Sequence, residues 1–324
     1  DYVKDNLTIG GSRLMVAAII GVISGFIAGY YNPLYAAAPI GLLLFAFNLP
    51  LAIALTIFAV PFIPTMAAAG LCALCMIILI AQKSANGDRK WRFGWVEFLI
   101  MSFIVVFAIC SLTSVAMIPS IKIFLLCALL MSFYFLLINS IKSRKQLNTL
   151  LLMFIISAFF VSVYGIIQYV FKIGMENQVW LDQNMFEDIS MRAYSTLENP
   201  NVLGEYLLLA IPVCIAFFWS KKSMLQKFSY GGILGVLLLC MILTMSRGCR
   251  LGLLLAAAIF ITFVNGKLWL LAIVGLIFLP LVLPQSIMSR FFSIGNMKDT
   301  STNYRMFIWL GTMRMLMDYW LVGV

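Results

Sequence analysis

The sequence predicts an all-α polytopic integral membrane protein with about eleven transmembrane helices. Three observations carry that expectation. Of 324 residues, 63% are hydrophobic and only 10% are charged. The mean hydropathy is +1.05. Apolar runs of roughly 18 residues or more recur along nearly the whole chain, and that length crosses a hydrocarbon core as a helix. No soluble domain has this composition. A membrane barrel would show short alternating segments instead.

The spans are expected, in order, near 14–31, 33–48, 50–64, 66–82, 97–117, 120–139, 147–171, 203–219, 229–245, 249–265 and 268–284. The second to fourth are short and interrupted by Pro33, Pro39, Pro50, Pro61 and Pro64. Each proline lacks a backbone donor and tends to end a helix. Basic residues cluster in three short connections: Lys83, Arg89, Lys90 and Arg92; Lys142, Arg144 and Lys145; Lys221, Lys222 and Lys227. With eleven spans all three fall on one side, which the positive-inside rule makes the cytoplasm, together with the N-terminus. Two longer segments, near 172–202 and 285–324, then face outward. The chain begins with Asp1 and stops at Val324 inside a segment patterned as structured. It reads as a fragment holding one transmembrane domain over 1–324, its first span retained as an anchor rather than cleaved.

The net charge of +10 is explained by the basic connections and does not point to nucleic acid. Most of the seven cysteines lie inside apolar runs. Cys72 and Cys75 form a Cys-x-x-Cys, but within a span, and the chain has no histidine. Small packing side chains are expected there, not a zinc or redox centre.

Three polar features stand out from the apolar background. In "SMRAYSTLENPNVLGEYLLLAIPV", Ser190 to Val213, a span begins behind Arg192, Glu198, Asn199, Pro200 and Asn201. Asn before Pro is a good helix start: the amide accepts from a free N–H of the first turn, and Pro holds its predecessor out of the helical region. A capped entrance accounts for Asn199. It does not account for Arg192 or Asn201, and a helix N-terminus is also an anion site. Second is "TMSRGCRLG", Thr244 to Gly252, where Arg247 and Arg250 face outward against the positive-inside trend. Arg247, held between two spans, is a functional candidate; Arg250 fits an interface anchor. Third is "NYRMFIWLGTMRMLMDYWLVGV", Asn303 to Val324. It reads as an amphipathic surface helix on which Arg305 and Trp309, four apart, share a face suited to a cation–π contact. Brought together, Arg192, Arg247 and Arg305 would make an electropositive pocket whose planar donors suit phosphate oxygens.

Arg192 followed by "STLENPNVLGEYLLLAIPV", then "LTMSRGCRLGLLL", then "NYRMFIWLGTMRMLMDYWLVGV", resembles the O-antigen ligase and O-antigen polymerase superfamily of bacterial envelope enzymes. The likeness covers roughly residues 190–324. Residues 1–189 match only in hydrophobicity and spacing. The resemblance implies a GT-C-like helical fold in the bacterial cytoplasmic (inner) membrane. It implies glycan transfer on the outer face from an undecaprenyl-pyrophosphate-linked donor to a glycan, lipid or protein acceptor, as in lipopolysaccharide biosynthesis. The family's functional arginines map onto Arg247 and Arg305, and further onto Arg192. The candidate site is therefore Arg247 and Arg305 as the catalytic pair, with Arg192, Asn199, Asn201 and Trp309 binding pyrophosphate and glycan. No metal or other cofactor is expected; membrane lipids are. In the ligases a histidine further along the outer loop is the candidate base. With no histidine in this chain, the base is unassigned.

Two other classes fit the composition. A transporter or flippase would carry ionisable residues or broken helices near mid-membrane, whereas these polar features gather at the outer ends of spans. A non-catalytic scaffold would leave Arg247 and Arg305 individually dispensable.

Overall fold

A computed structural model describes residues 48–87, 90–174, 192–264, 266, 269–270 and 300–320, with side chains for all but 264 and 300–304. Among the described residues there is no strand. The helices are α1 (Leu49–Ala59), α2 (Thr65–Ala85), α3 (Trp95–Thr113), α4 (Met117–Ser140), α5 (Arg144–Phe171), α6 (Pro200–Ser220), α7 (Met224–Leu243), α8 (Arg247–Val264) and α9 (Thr300–Asp318). Single 3-10 turns lie at Val60–Phe62 and Ser195–Leu197. Among the described residues six helices, α2 to α7, are long and apolar enough to cross a membrane.

Every expected span from 50–64 to 249–265 falls on a described helix. The expected 50–64 span is shorter than a full crossing: α1 stops at Ala59, and Pro61 sits in the following turn. The start expected at 120 moves back to Met117, because Pro119 lies in the first turn of α4, where its missing N–H has no helical partner to lose. The expected spans 14–31, 33–48 (save Asn48) and 268–284 (save 269–270) lie outside the described residues.

The described chain divides into two compact units. In the first, Cys72 and Cys75 are buried free thiols on α2. Cys75 Sγ lies 3.8 Å from the Thr56 hydroxyl of α1, so this pair packs helices. Further along, the Arg92 backbone N–H donates to Asn139 Oδ1 on α4 at 2.9 Å. Phe107 meets Phe124 edge-on, their centroids 5.5 Å apart.

The second unit is built around α6. Leu203, Leu207, Ala210, Ile211 and Cys214 fall on one face at helical spacing, all fully buried. They share a core with Ile155, Ala158 and Val161 of α5 and Leu237, Cys240 and Met241 of α7. The Tyr206 hydroxyl donates to Ser157 Oγ at 3.2 Å, and Ser157 in turn donates to the Phe58 carbonyl at 2.8 Å. Lipid tails are as apolar as leucine, so helices in a bilayer associate through close packing and small residues. Gly204 supplies such a contact: a Cβ there would lie 2.7 Å from Cys249 Sγ of α8. Gly204→Ala is expected to cost about 1–3 kcal/mol by overpacking this seam. Cys249→Ala in the same chain should restore part of the loss. Thermal unfolding of the two variants in detergent checks it, and equal melting for Gly204→Ala and wild type would refute the close approach.

Candidate functional site

The entrance to α6 is capped as its sequence predicts. Asn199 is extended (φ −139°, ψ 124°), and its Oδ1 accepts from the Asn201 N–H at 2.8 Å. Pro200 is the first helical residue. The Asn199 carbonyl accepts from Leu203 N–H at 3.0 Å, beginning the helical ladder.

Arg192 binds the chain to itself across a long sequence gap. Its Nε donates to the Thr244 carbonyl at 2.8 Å, and one terminal nitrogen donates to Asn201 Oδ1 at 2.9 Å. Beside it, Ala193 N–H donates to the Leu243 carbonyl at 3.0 Å. The residues before α6 are thereby tied to the end of α7. The planar fork of arginine suits two acceptors fixed at different angles. Arg192 and Asn201, both expected to bind substrate, are held here against each other and, through Arg192, against Thr244.

Gln168 escaped the sequence reading. It is buried on α5, 2% exposed. Its Oε1 accepts from both Tyr194 N–H (3.2 Å) and Ser195 N–H (2.8 Å), while Ser195 Oγ donates to the Val161 carbonyl at 2.7 Å. One glutamine in a run of apolar residues carries no distinguishing periodicity; only its position against a distant turn reveals it. Gln168→Leu should leave two N–H groups without their acceptor, at about 1–3 kcal/mol each. Loss of protease resistance around residues 192–199 would report it, and wild-type resistance would contradict it.

The junction of α7 and α8 completes the arrangement. Thr244 and Ser246 are buried, at 0% and 5% exposure. Met245 sits in the left-handed region (φ 54°), a place usually given to glycine after a helix end. Its sulfur lies 3.2 Å from an Arg250 terminal nitrogen, which also donates to the Ile242 carbonyl at 2.9 Å. Arg250, expected at the membrane interface, is instead buried and helps cap α7. Ser195 (φ 55°) and Glu198 (φ 58°) are also left-handed. Non-glycine residues held this way cost roughly 1–3 kcal/mol each and collect where function constrains the backbone.

The N-termini of α6 and α8 therefore start side by side. Cys249 Sγ approaches the Asn201 carbonyl at 3.8 Å. Neither helix has an acid in its first turn. Two positive helix ends meet there, and half-buried Arg247 opens α8. Such an arrangement favours an anion. Tyr194 anchors the rear of the turn, donating to the Gly174 carbonyl at 2.7 Å. Burial, then the nearby Tyr164 and Glu198, push its hydroxyl above the usual tyrosine range, so it stays a donor at neutral pH.

Arg305 and Trp309 are not brought to this point. Both lie on α9, whose described side chains are all exposed. Among the described residues no cation–π contact joins them; those present place Lys83 over Trp91, and Lys221 over Phe217 and Tyr230.

Exposed apolar side chains along α3, among them Leu99 (64%) and Phe103 (53%), belong against lipid. Together with the six long apolar helices, they define the class: a multi-pass helical membrane protein. No protein-family model, curated protein or solved structure matches the chain.

Proposed function

We propose that this protein transfers a glycan from an undecaprenyl-pyrophosphate-linked oligosaccharide or polysaccharide to an acceptor hydroxyl at the outer face of a bacterial cytoplasmic membrane. It acts as a polymerase or ligase of the O-antigen type with a GT-C-like helical fold. The observation that carries the reading is the meeting of the Asn-Pro-Asn entrance with the Ser-Arg-Gly junction, stitched by Arg192. Two motifs about fifty residues apart converge on one anion-favouring point.

In this reading Arg247 grips the pyrophosphate, and Arg305 of α9 is the second cation assigned to it. The acceptor oxygen bonds to the anomeric carbon as the bond from that carbon to the pyrophosphate oxygen breaks. Negative charge gathers on the departing pyrophosphate, where fixed donors stabilise it. The acceptor proton leaves to a base not yet assigned.

Deletion of the gene tests the proposal, with surface glycan and lipid-linked intermediates read by gel and mass spectrometry. Single repeat units accumulating on the lipid identify a polymerase. Full-length chains retained on the lipid identify a ligase. Unchanged glycans and intermediates would overturn the assignment.

A further inference from the structure

The first unit contains a cavity of about 730 Å3, remote in sequence from the motifs above. Its walls come from Leu137 and Ile138 at the end of α4, Ile141 just after it, Leu147 at the start of α5, and Trp91 and Phe93 ahead of α3. The volume lies within the roughly 300–1,000 Å3 of small-molecule sites. Its lining is mostly apolar, with Arg92 and Glu97 the two charged residues on it, and the connections around it are rich in basic residues. Arg92 lines the cavity and is exposed. Lys90 flanks it in sequence, Lys142, Arg144 and Lys145 fall between Ile141 and Leu147, and Lys83 is held over the Trp91 ring at 4.7 Å.

Glu97 is the sole acid among the described residues of this unit. Its carboxylate accepts from the Gly94 N–H, closing the first turn of α3. That role satisfies the carboxylate against the positive helix end. The other charged residues described in this unit are basic; Asp88, beside Arg89 and Lys90, lies outside the described residues. An apolar pocket with a basic, arginine-bearing mouth complements a molecule with an apolar body and an anionic head. Basic pockets between membrane helices on the cytoplasmic side take such headgroups. The positive-inside rule assigns these connections to that side.

We propose that this cavity binds an anionic phospholipid, with its phosphate on Arg92 and an acyl chain along Leu137, Ile138, Ile141 and Leu147. The segment carrying the guanidinium is fixed by the Arg92 N–H to Asn139 bond, and one terminal nitrogen reaches the Ile138 carbonyl at 3.4 Å. The site is independent of the glycan-transfer proposal.

Native mass spectrometry of the full chain in detergent tests it. The probes are phosphatidylglycerol, phosphatidylcholine with the same acyl chains, and glycerol phosphate. Phosphatidylglycerol should bind about tenfold more tightly than phosphatidylcholine, and Arg92→Gln should erase that preference. Leu147 is exposed, so Leu147→Trp fills the cavity without disturbing the core and should weaken both lipids. It keeps the test decisive where Arg92→Gln disturbs its turn. Equal binding of the two lipids, or a preference that survives both variants, overturns the proposal. Glycerol phosphate binding as tightly as phosphatidylglycerol also overturns it, since the site would then read a soluble anion rather than a lipid.

Discussion

Arg247→Ala is expected to slow glycan transfer by about a hundredfold or more while leaving melting near wild type. Arg247 opens α8 and is half-buried, so its removal empties no core. In the proposed reaction its charge acts mainly on the departing pyrophosphate, so kcat should fall more than KM. Arg247→Lys keeps a charge but not the planar fork and should recover only part of the rate. The measurement is in-vitro transfer from a purified lipid-linked donor. Wild-type rates for Arg247→Ala would remove this residue from the site.

Arg192→Leu is expected to fail differently. Two bonds from a charged donor disappear, each worth about 1.5–3 kcal/mol. The Thr244 carbonyl and Asn201 Oδ1 lose their partner together. A loss of about 3 kcal/mol or more should appear as a lower melting temperature, with transfer lost in consequence. Arg192→Lys can serve one acceptor but not both, and should fall between. If Arg192→Leu instead melts like wild type yet is inactive, Arg192 touches the substrate directly.

Part of this arrangement was legible in the sequence. Helices were, because hydropathy is written residue by residue: α5, expected over 147–171, ends at Phe171 as predicted. So was the cap at Asn199, because capping chemistry spans only a few neighbouring residues. The role of Arg192 was not. Its partner Thr244 is 52 residues away and offers a backbone carbonyl, a group every residue possesses. Gln168 was hidden for the same reason. Arg305 and Trp309 were marked by their shared helical face, but spacing on one helix says nothing of where that helix docks.

The seam between α6 and α8 also contains its own chemical clock. Cys249 is 6% exposed and lies against the Gly204 backbone, so a thiol reagent reaches it only while the two helices stand apart. In a chain whose other cysteines are replaced, the alkylation rate of Cys249 would count those openings, and a slower rate on adding donor would time how long the bound state holds the seam shut.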